Sequence, residues 1–435
     1  MTKPLSFGKL LAILRDTFER LPEHRQGANT HYTLCDAALS AFSVFFMQSP
    51  SFLAYQRDMQ RRKGCNNATG LFGVERIPCD PQIRNLLDPI SPKHLRTPFW
   101  QILDQSMKNK DINDTYDFEK SWLVSLDGVV YFTSKAIHCP QCSVSEHDEI
   151  TLYAHSALVP ALVKPGESKV LVLEPEFITP QDGAEKQDCE RNAAQRWIKR
   201  NGPRLAKERA TILADDLHCN QPFCKLLIRH NLHFILTCKR SSHKALYEEV
   251  DLLDKIDGVT TVVERVWTGK EYRLWTYRFA TYVPLRRGPD ALKVNWCELT
   301  IASEATGEVL FHNAFATDHI VNELTVQNIV LGGRTRWKVE NEGFNVLTNQ
   351  GYHLKHNYGH GKEHLSSVLM TLILLAFLYH TVLHLGDTAY QRLRAELGAR
   401  RTFFNDLRAL TRYMCFQSWD QLIRFMISGL DMAPD

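Results

Sequence analysis

Three acidic residues stand where a carboxylate can do chemistry. Asp127 ends or interrupts an apolar strand-like run in "SWLVSLDGVVYFTS". Asp215 closes the buried-looking strand "TILAD", and Glu340 lies within "RTRWKVENEGFN". At about 100° per residue Glu340 shares a helix stripe with Trp337, Phe344 and Leu347, which should pack toward a sheet. Glu342 falls roughly 160° round the axis and should face elsewhere. A carboxylate among large apolar side chains must be compensated, because an unpaired buried charge is costly. Arg336, four residues earlier, is one compensating group. A hard divalent cation is another, since such ions take carboxylates together with substrate phosphate. Two of them about 3.5–4 Å apart activate a water or hydroxyl and stabilise the leaving oxygen in phosphodiester displacement.

The elements that must position these acids follow from local patterns. Residues 30–48, "THYTLCDAALSAFSVFFMQ", open on a threonine able to cap a helix, and Asp80 followed by Pro81 marks another helix start. The Asp127–Gly128 pair signals a hairpin turn between two strands. "TLYAHSALVPALV" and "KVLVLEPEF" are further strands, and "EKQDCERNAAQRWIKRNG" is a helix ending at its glycine. After Asp215 come the helix "CNQPFCKLLIRHN", the strand "HFILTCK", a strand-rich block over 259–315, and then helices. Strands alternating with helices predict a mixed α/β sheet covered by helices.

The chain has 435 residues, 44% hydrophobic and 23% charged, enough for two or three domains with cores. A net charge of +3 excludes a general polycation, so any nucleic-acid surface must be local. Arg61, Arg62, Lys63 and Arg84, with Arg57 and Arg76 nearby, supply such a cluster: a helical DNA-binding module or a solvated face. The strand block interleaves Trp267, Tyr272, Trp275 and Tyr277 with arginines, as a base-stacking surface or as a sheet with a charged edge. Eleven cysteines and no signal-like leader suit reduced thiols in a cytoplasm. "HCPQC" places Cys139 and Cys142 at zinc spacing; His138, His147, His155 or Cys189 could complete a site, and a turn of reduced cysteines is the alternative. The uncharged stretch 365–385 is expected to be a helix buried in a large core, not a membrane span.

"SLDG", "ILADDLHCNQPF" and "RTRWKVENEGFN" together resemble the DDE transposases of bacterial insertion sequences. The last stretch follows the Arg-Trp-x-Ile/Val-Glu pattern carrying that family's catalytic Glu. "HCPQC", "PEFITPQDG", "KQDCE" and "LTNQGYHLKHNYGHG" resemble one subgroup, and the likeness runs over about 30–430. It implies a ribonuclease-H-like mixed sheet with flanking helices, interrupted by a β insertion as in the cut-and-paste branch. Asp127, Asp215 and Glu340 would be the catalytic, metal-holding acids, with Mg²⁺ and Mn²⁺ as its substitute. Better-known relatives follow Tyr-x2-Arg-x3-Glu-x6-Lys; here Arg336 holds the Arg place, while Gly333 and Leu347 replace the Tyr and Lys. Lys338 and Lys355 are then candidates for the missing cation, and Arg336 for a phosphate contact.

The implied organisation is a helical DNA-binding region (1–115), the first part of the catalytic core (116–258), a β insertion (259–318), the Glu-bearing helix (319–362) and C-terminal helices (363–435). The implied activity is cleavage at element ends and joining of 3′-hydroxyls to target DNA, by a cytoplasmic, nucleoid-associated protein. Its partners would be the terminal inverted repeats, target DNA and a second copy of the chain. A metal-dependent nuclease without strand transfer and an inactive DNA-binding relative are the alternatives.

Overall fold

The computed structural model describes residues 5–26, 30–60, 65–147, 150–180 and 188–433. Its centre is a mixed sheet of eleven strands among the described residues. These are β1 (Leu123–Ser134), β2 (Ser143–His147), β3 (Ile150–Val163), β4 (Leu171–Val172), β5 (Glu176–Ile178), β6 (Thr211–Ala214), β7 (His233–Thr237), β8 (Thr260–Trp267), β9 (Tyr272–Pro284), β10 (Lys293–Ser303) and β11 (Val309–Thr317). The order is β2-β3-β1-β6-β7-β11-β10-β9-β8, with β4 and β5 also paired to β3. β1 runs antiparallel to β3 and parallel to β6, and β6 is parallel to β7. The two parallel crossovers carry the helices Glu190–Leu205 and Gln221–Arg229, as parallel pairing requires. Every residue of β6 is buried, which accounts for its unbroken apolar run. The strand-rich block continues this sheet, because β11 pairs antiparallel with β7.

Two expectations about strand and helix ends are corrected. Asp127–Gly128 is not a turn: β1 runs straight through it, with Asp127 opposite Val159 and Gly128 opposite Leu158. The chain reverses only after Ser134, in the segment holding Cys139 and Cys142. The helix expected to stop at Gly202 continues through it and Pro203 to Leu205. At Gly202 a Cβ would approach the His230 ring to 2.7 Å, so this glycine serves close packing, not termination.

The N- and C-terminal helices form one body against the sheet. The helix Leu34–Phe46, capped by the Thr33 hydroxyl accepting from Asp36 N at 2.9 Å, buries all but Asp36. It packs on the helix Leu365–Gly386, which is long and apolar enough to span a membrane, yet 89% of its apolar window is buried inside the fold. A helix apolar all round is covered either by a core or by a membrane, and here the fold itself covers it. His380 is tolerated there because its ring nitrogens bond the Tyr390 hydroxyl and the Phe46 carbonyl, both at 2.8 Å. Asn67 donates to the carbonyls of Thr411 (2.6 Å) and Met414 (2.7 Å), and Asp58 pairs with Arg412 at 2.8 Å. Cys65 and Cys415 are joined as a disulfide, contrary to the expectation of thiols reduced throughout; the other nine cysteines are free.

Asp88 caps the long helix from outside it. Its carboxylate accepts backbone N–H bonds from Lys362 (2.8 Å), Glu363 (3.0 Å), His364 (3.1 Å) and Leu365 (3.0 Å). Burial works against its ionisation, but these four donors outweigh it and hold the carboxyl below its usual value. Asp88→Ala is expected to cost about 1–3 kcal/mol, read as a lowered urea midpoint, and Asp88→Asn should recover part of that loss.

Candidate active site

The β1–β6 register carries Ser125 opposite Leu213. Two residues beyond that pair stand Asp127, still within β1, and Asp215, just past the end of β6, so both acids lie at the same end of two adjacent parallel strands. Ser125 and Asp127 share one face of β1, and the Ser125 hydroxyl donates to the Arg336 carbonyl at 3.3 Å, so this face meets the Glu340 segment. Gly128 turns to the other face, where a Cβ would lie 2.2 Å from a Glu190 carboxylate oxygen. Glu190 in turn bonds the buried His218 at 3.0 Å.

Asp215 and Asp216 are separated by their partners. Asp216 accepts from Lys239 N at 2.6 Å and faces His243 at 3.2 Å, which ties it to the loop after β7. Asp215, half-buried, accepts from Leu217 N at 3.0 Å through one oxygen.

Glu340 is not on a uniform α-helix. The helix Val326–Arg334 tightens into a 3₁₀ turn at Thr335–Trp337, widens into a π-turn over Val339–Phe344, and resumes as α at Asn345–Asn349. The phase therefore shifts, and the expected inward stripe is corrected. Trp337 is 49% exposed, whereas Arg336, Val339, Gly343 and Leu347 are buried. Phe344 is half-buried against the core and Glu340 half-buried beside Arg336. π-turns of this kind are frequent at functional sites.

Arg336 compensates Glu340. Its Nη1 donates to Asp127 Oδ2 and to Glu340 Oε1, both at 3.3 Å, so one guanidinium joins two of the three acids. Burial pushes the Asp127 carboxyl up to about 7; Arg336 opposes this, while Glu340 and Glu190 add to it. A half-buried acid of raised affinity for protons, beside a second acid and a cation, is a functional-site candidate, although structural ion-pair networks produce the same shift. The departures at Gly333 and Leu347 also have causes. A Cβ on Gly333 would lie 2.7 Å from the Phe315 ring and 2.9 Å from Ile235, leaving no room there for a tyrosine. Leu347 is fully buried, where an unpaired lysine would be costly.

The other cationic candidates are dispersed. Lys338 is half-buried next to the site and Lys355 is exposed in the loop following it. Arg84 is held by Asp80 at 2.7 Å. Arg61, Arg62 and Lys63 lie outside the described residues. In the strand block Arg265, Arg273, Arg278, Arg286 and Arg287 each pair with an acid and Tyr277 is buried, while Trp267 and Tyr272 are exposed.

A second cluster gathers Cys139, Cys142, His155 and His360, whose donor atoms all lie within 4.8 Å of one another. Sγ to Sγ is 4.0 Å, His155 Nε2 is 3.5 Å from each sulfur, and His360 Nε2 is 3.5 Å from Cys142 Sγ and 3.1 Å from His155 Nε2. Burial pushes the Cys139 thiol up to about 11 and His155 down to about 4. His155 thus joins the two cysteines, while His138 stacks on Tyr153 at 4.5 Å and Cys189 is exposed.

Glu190 and His360 were not read from the sequence as members of these sites. The "KQDCE" motif held a signal for Glu190, but nothing near position 360 connects it to Cys142, 218 residues earlier. No protein-family model and no curated protein matches the chain.

Proposed function

We propose that the chain is a transposase of ribonuclease-H-like fold that cuts DNA at the ends of its element and joins the freed 3′-hydroxyls to target DNA. The observation that carries this is the Arg336 guanidinium shared by Asp127 on β1 and Glu340 on a late helical segment, with Asp215 at the end of the neighbouring parallel strand. The run β3-β1-β6-β7, one antiparallel neighbour and two parallel crossovers, supports the fold assignment. An all-carboxylate donor set suits hard cations, so Asp127, Asp215 and Glu340 would hold two Mg²⁺ once Asp127 gives up its proton. Those ions would supply an activated oxygen nucleophile and stabilise the leaving oxygen.

The protein's own groups divide the remaining work. Ser125, through the Arg336 carbonyl, fixes the turn that carries Arg336 and Glu340. Arg336 neutralises Asp127 and Glu340 in the free protein and can pass one N–H to a DNA phosphate when those acids take a metal. Exposed Trp337, whose ring lies 5.5 Å from the Arg336 guanidinium, offers a face to the same DNA. Lys338 and Lys355, with Arg61, Arg62, Lys63 and Arg84, supply phosphate contacts to duplex ends. Two copies of the chain would pair the two ends, in the cytoplasm at the nucleoid.

The test uses the full chain and a duplex carrying the DNA that flanks its own reading frame. Mg²⁺ or Mn²⁺ should give nicks at the element boundary, and a target plasmid should yield joined products. Nicks without joined products would favour the simple nuclease, and no cleavage with either ion would overturn the proposal. End affinity should fall steeply with salt, and Lys355→Ala should flatten the log–log slope by about 1.

A further inference from the structure

We propose that Cys139, Cys142, His155 and His360 form a closed structural zinc site that fastens the loop following Glu340 to the sheet carrying Asp127. A tetrahedral zinc with Zn–S of about 2.3 Å and Zn–N of about 2.0–2.1 Å has edges of about 3.8 Å (S–S), 3.4 Å (N–N) and 3.6 Å (S–N). The corresponding separations here are 4.0, 3.1 and 3.5 Å. Five of the six edges therefore already lie close to those of such a tetrahedron, and the sixth, Cys139 Sγ to His360 Nε2, is within 4.8 Å.

The chemistry of the donors agrees. Two ring Nε2 atoms 3.1 Å apart, facing two sulfurs, make a poor hydrogen-bond set but a good ligand set. His360 Nδ1–H donates to the Gly361 carbonyl at 3.0 Å, which fixes the tautomer that leaves Nε2 free to ligate. His155 contacts the Tyr131 and Phe132 rings, and Phe132 also contacts the His360 ring at 4.6 Å, so both imidazoles are packed against aromatic side chains. Two thiolates balance the charge of the ion, so the buried site is neutral overall. With four protein ligands it leaves no open position for substrate, which marks it as structural.

Its position gives it a task. Cys139 and Cys142 sit in the turn after β1, His155 is on β3, and His360 lies between the Glu340 segment and the helix Leu365–Gly386. The ion would therefore tie the two chain segments on which Asp127 and Glu340 ride. This inference stands apart from the DNA chemistry and is tested without it.

The parent protein, purified without chelator, should carry zinc, and X-ray absorption should report two sulfur and two nitrogen ligands. Co²⁺ substitution should give the intense visible bands of a tetrahedral thiolate site. His360→Ala and Cys142→Ser should each lose one equivalent of zinc relative to the parent and melt at lower temperature, while Cys297→Ser keeps the full complement. Where a ligand variant does not fold, the parent's absorption and Co²⁺ spectra decide. A parent with neither zinc nor tetrahedral Co²⁺ bands, a Cys139–Cys142 disulfide in the reduced preparation, or ligand variants that keep the parental zinc would overturn the proposal.

Discussion

Asp127→Asn, Asp215→Asn and Glu340→Gln are each expected to lower Mg²⁺-dependent nicking of an element end by about 10²–10³-fold or more, with DNA binding nearly unchanged. Each amide keeps the size of the acid and its acceptor oxygen, so the bonds from Gly128 N to Asp127 (3.1 Å) and from Leu217 N to Asp215 (3.0 Å) survive. What is lost is the charge that a hard cation needs. Two neighbouring acids serve as controls. Asp216→Asn disturbs only its links to Lys239 and His243, and Glu342→Gln removes an acid that Arg336 does not engage. Both should retain most cleavage. A dead Glu342 variant beside an active Glu340 variant would show that the wrong acid has been placed in the site.

Removing Arg336 should produce the largest change in stability. Arg336→Ala leaves Asp127 and Glu340 facing each other without their shared cation. Deleting one partner of a buried ion pair costs about 3–5 kcal/mol. The low end, about 3 kcal/mol, is expected here because the Glu340 side chain is 39% exposed. The loss should depend on pH. Burial raises Asp127 to about 7, above its unfolded value of 3.8, so the folded state holds this proton more tightly. Its contribution to stability is therefore complete below about pH 4 and lost as pH rises to about 7. The metal-free protein should weaken across that interval, and Asp127→Asn should raise its melting temperature above pH 7. In Arg336→Ala the carboxyl rises further and the decline extends to higher pH. The double variant Arg336→Ala, Asp127→Asn should recover most of the single-variant loss. Strictly additive losses in that cycle would show that Arg336 does not act on Asp127.

Asp127 and Asp215 stand out in the sequence as candidates because each ends or punctuates an apolar run, and β6 and the long helix are legible because both are almost wholly apolar and are buried. Asp127–Gly128 misled for a physical reason. The pair that usually makes a turn is here held flat by β3, and its glycine leaves room for the Glu190 carboxylate. The stripe through Glu340 misled because periodicity assumes one pitch, whereas 3₁₀ and π turns in succession rotate Trp337 out to solvent. Cys139 and Cys142 were visible as a pair through their spacing. His360 was not, because only the folded chain brings it to them.

The pairing of Leu34–Phe46 with Leu365–Gly386 has a consequence for the time at which the protein becomes itself. At about 5–20 residues/s, a ribosome needs on the order of 15–70 s to travel from one helix to the other. Throughout that interval an almost wholly apolar helix waits without its partner, open to chaperones and to other nascent chains. The Glu340 segment also precedes that partner in the chain. A truncated product would therefore carry Asp127, Asp215 and Glu340 on an unfinished body, and interrupted synthesis should yield insoluble fragments.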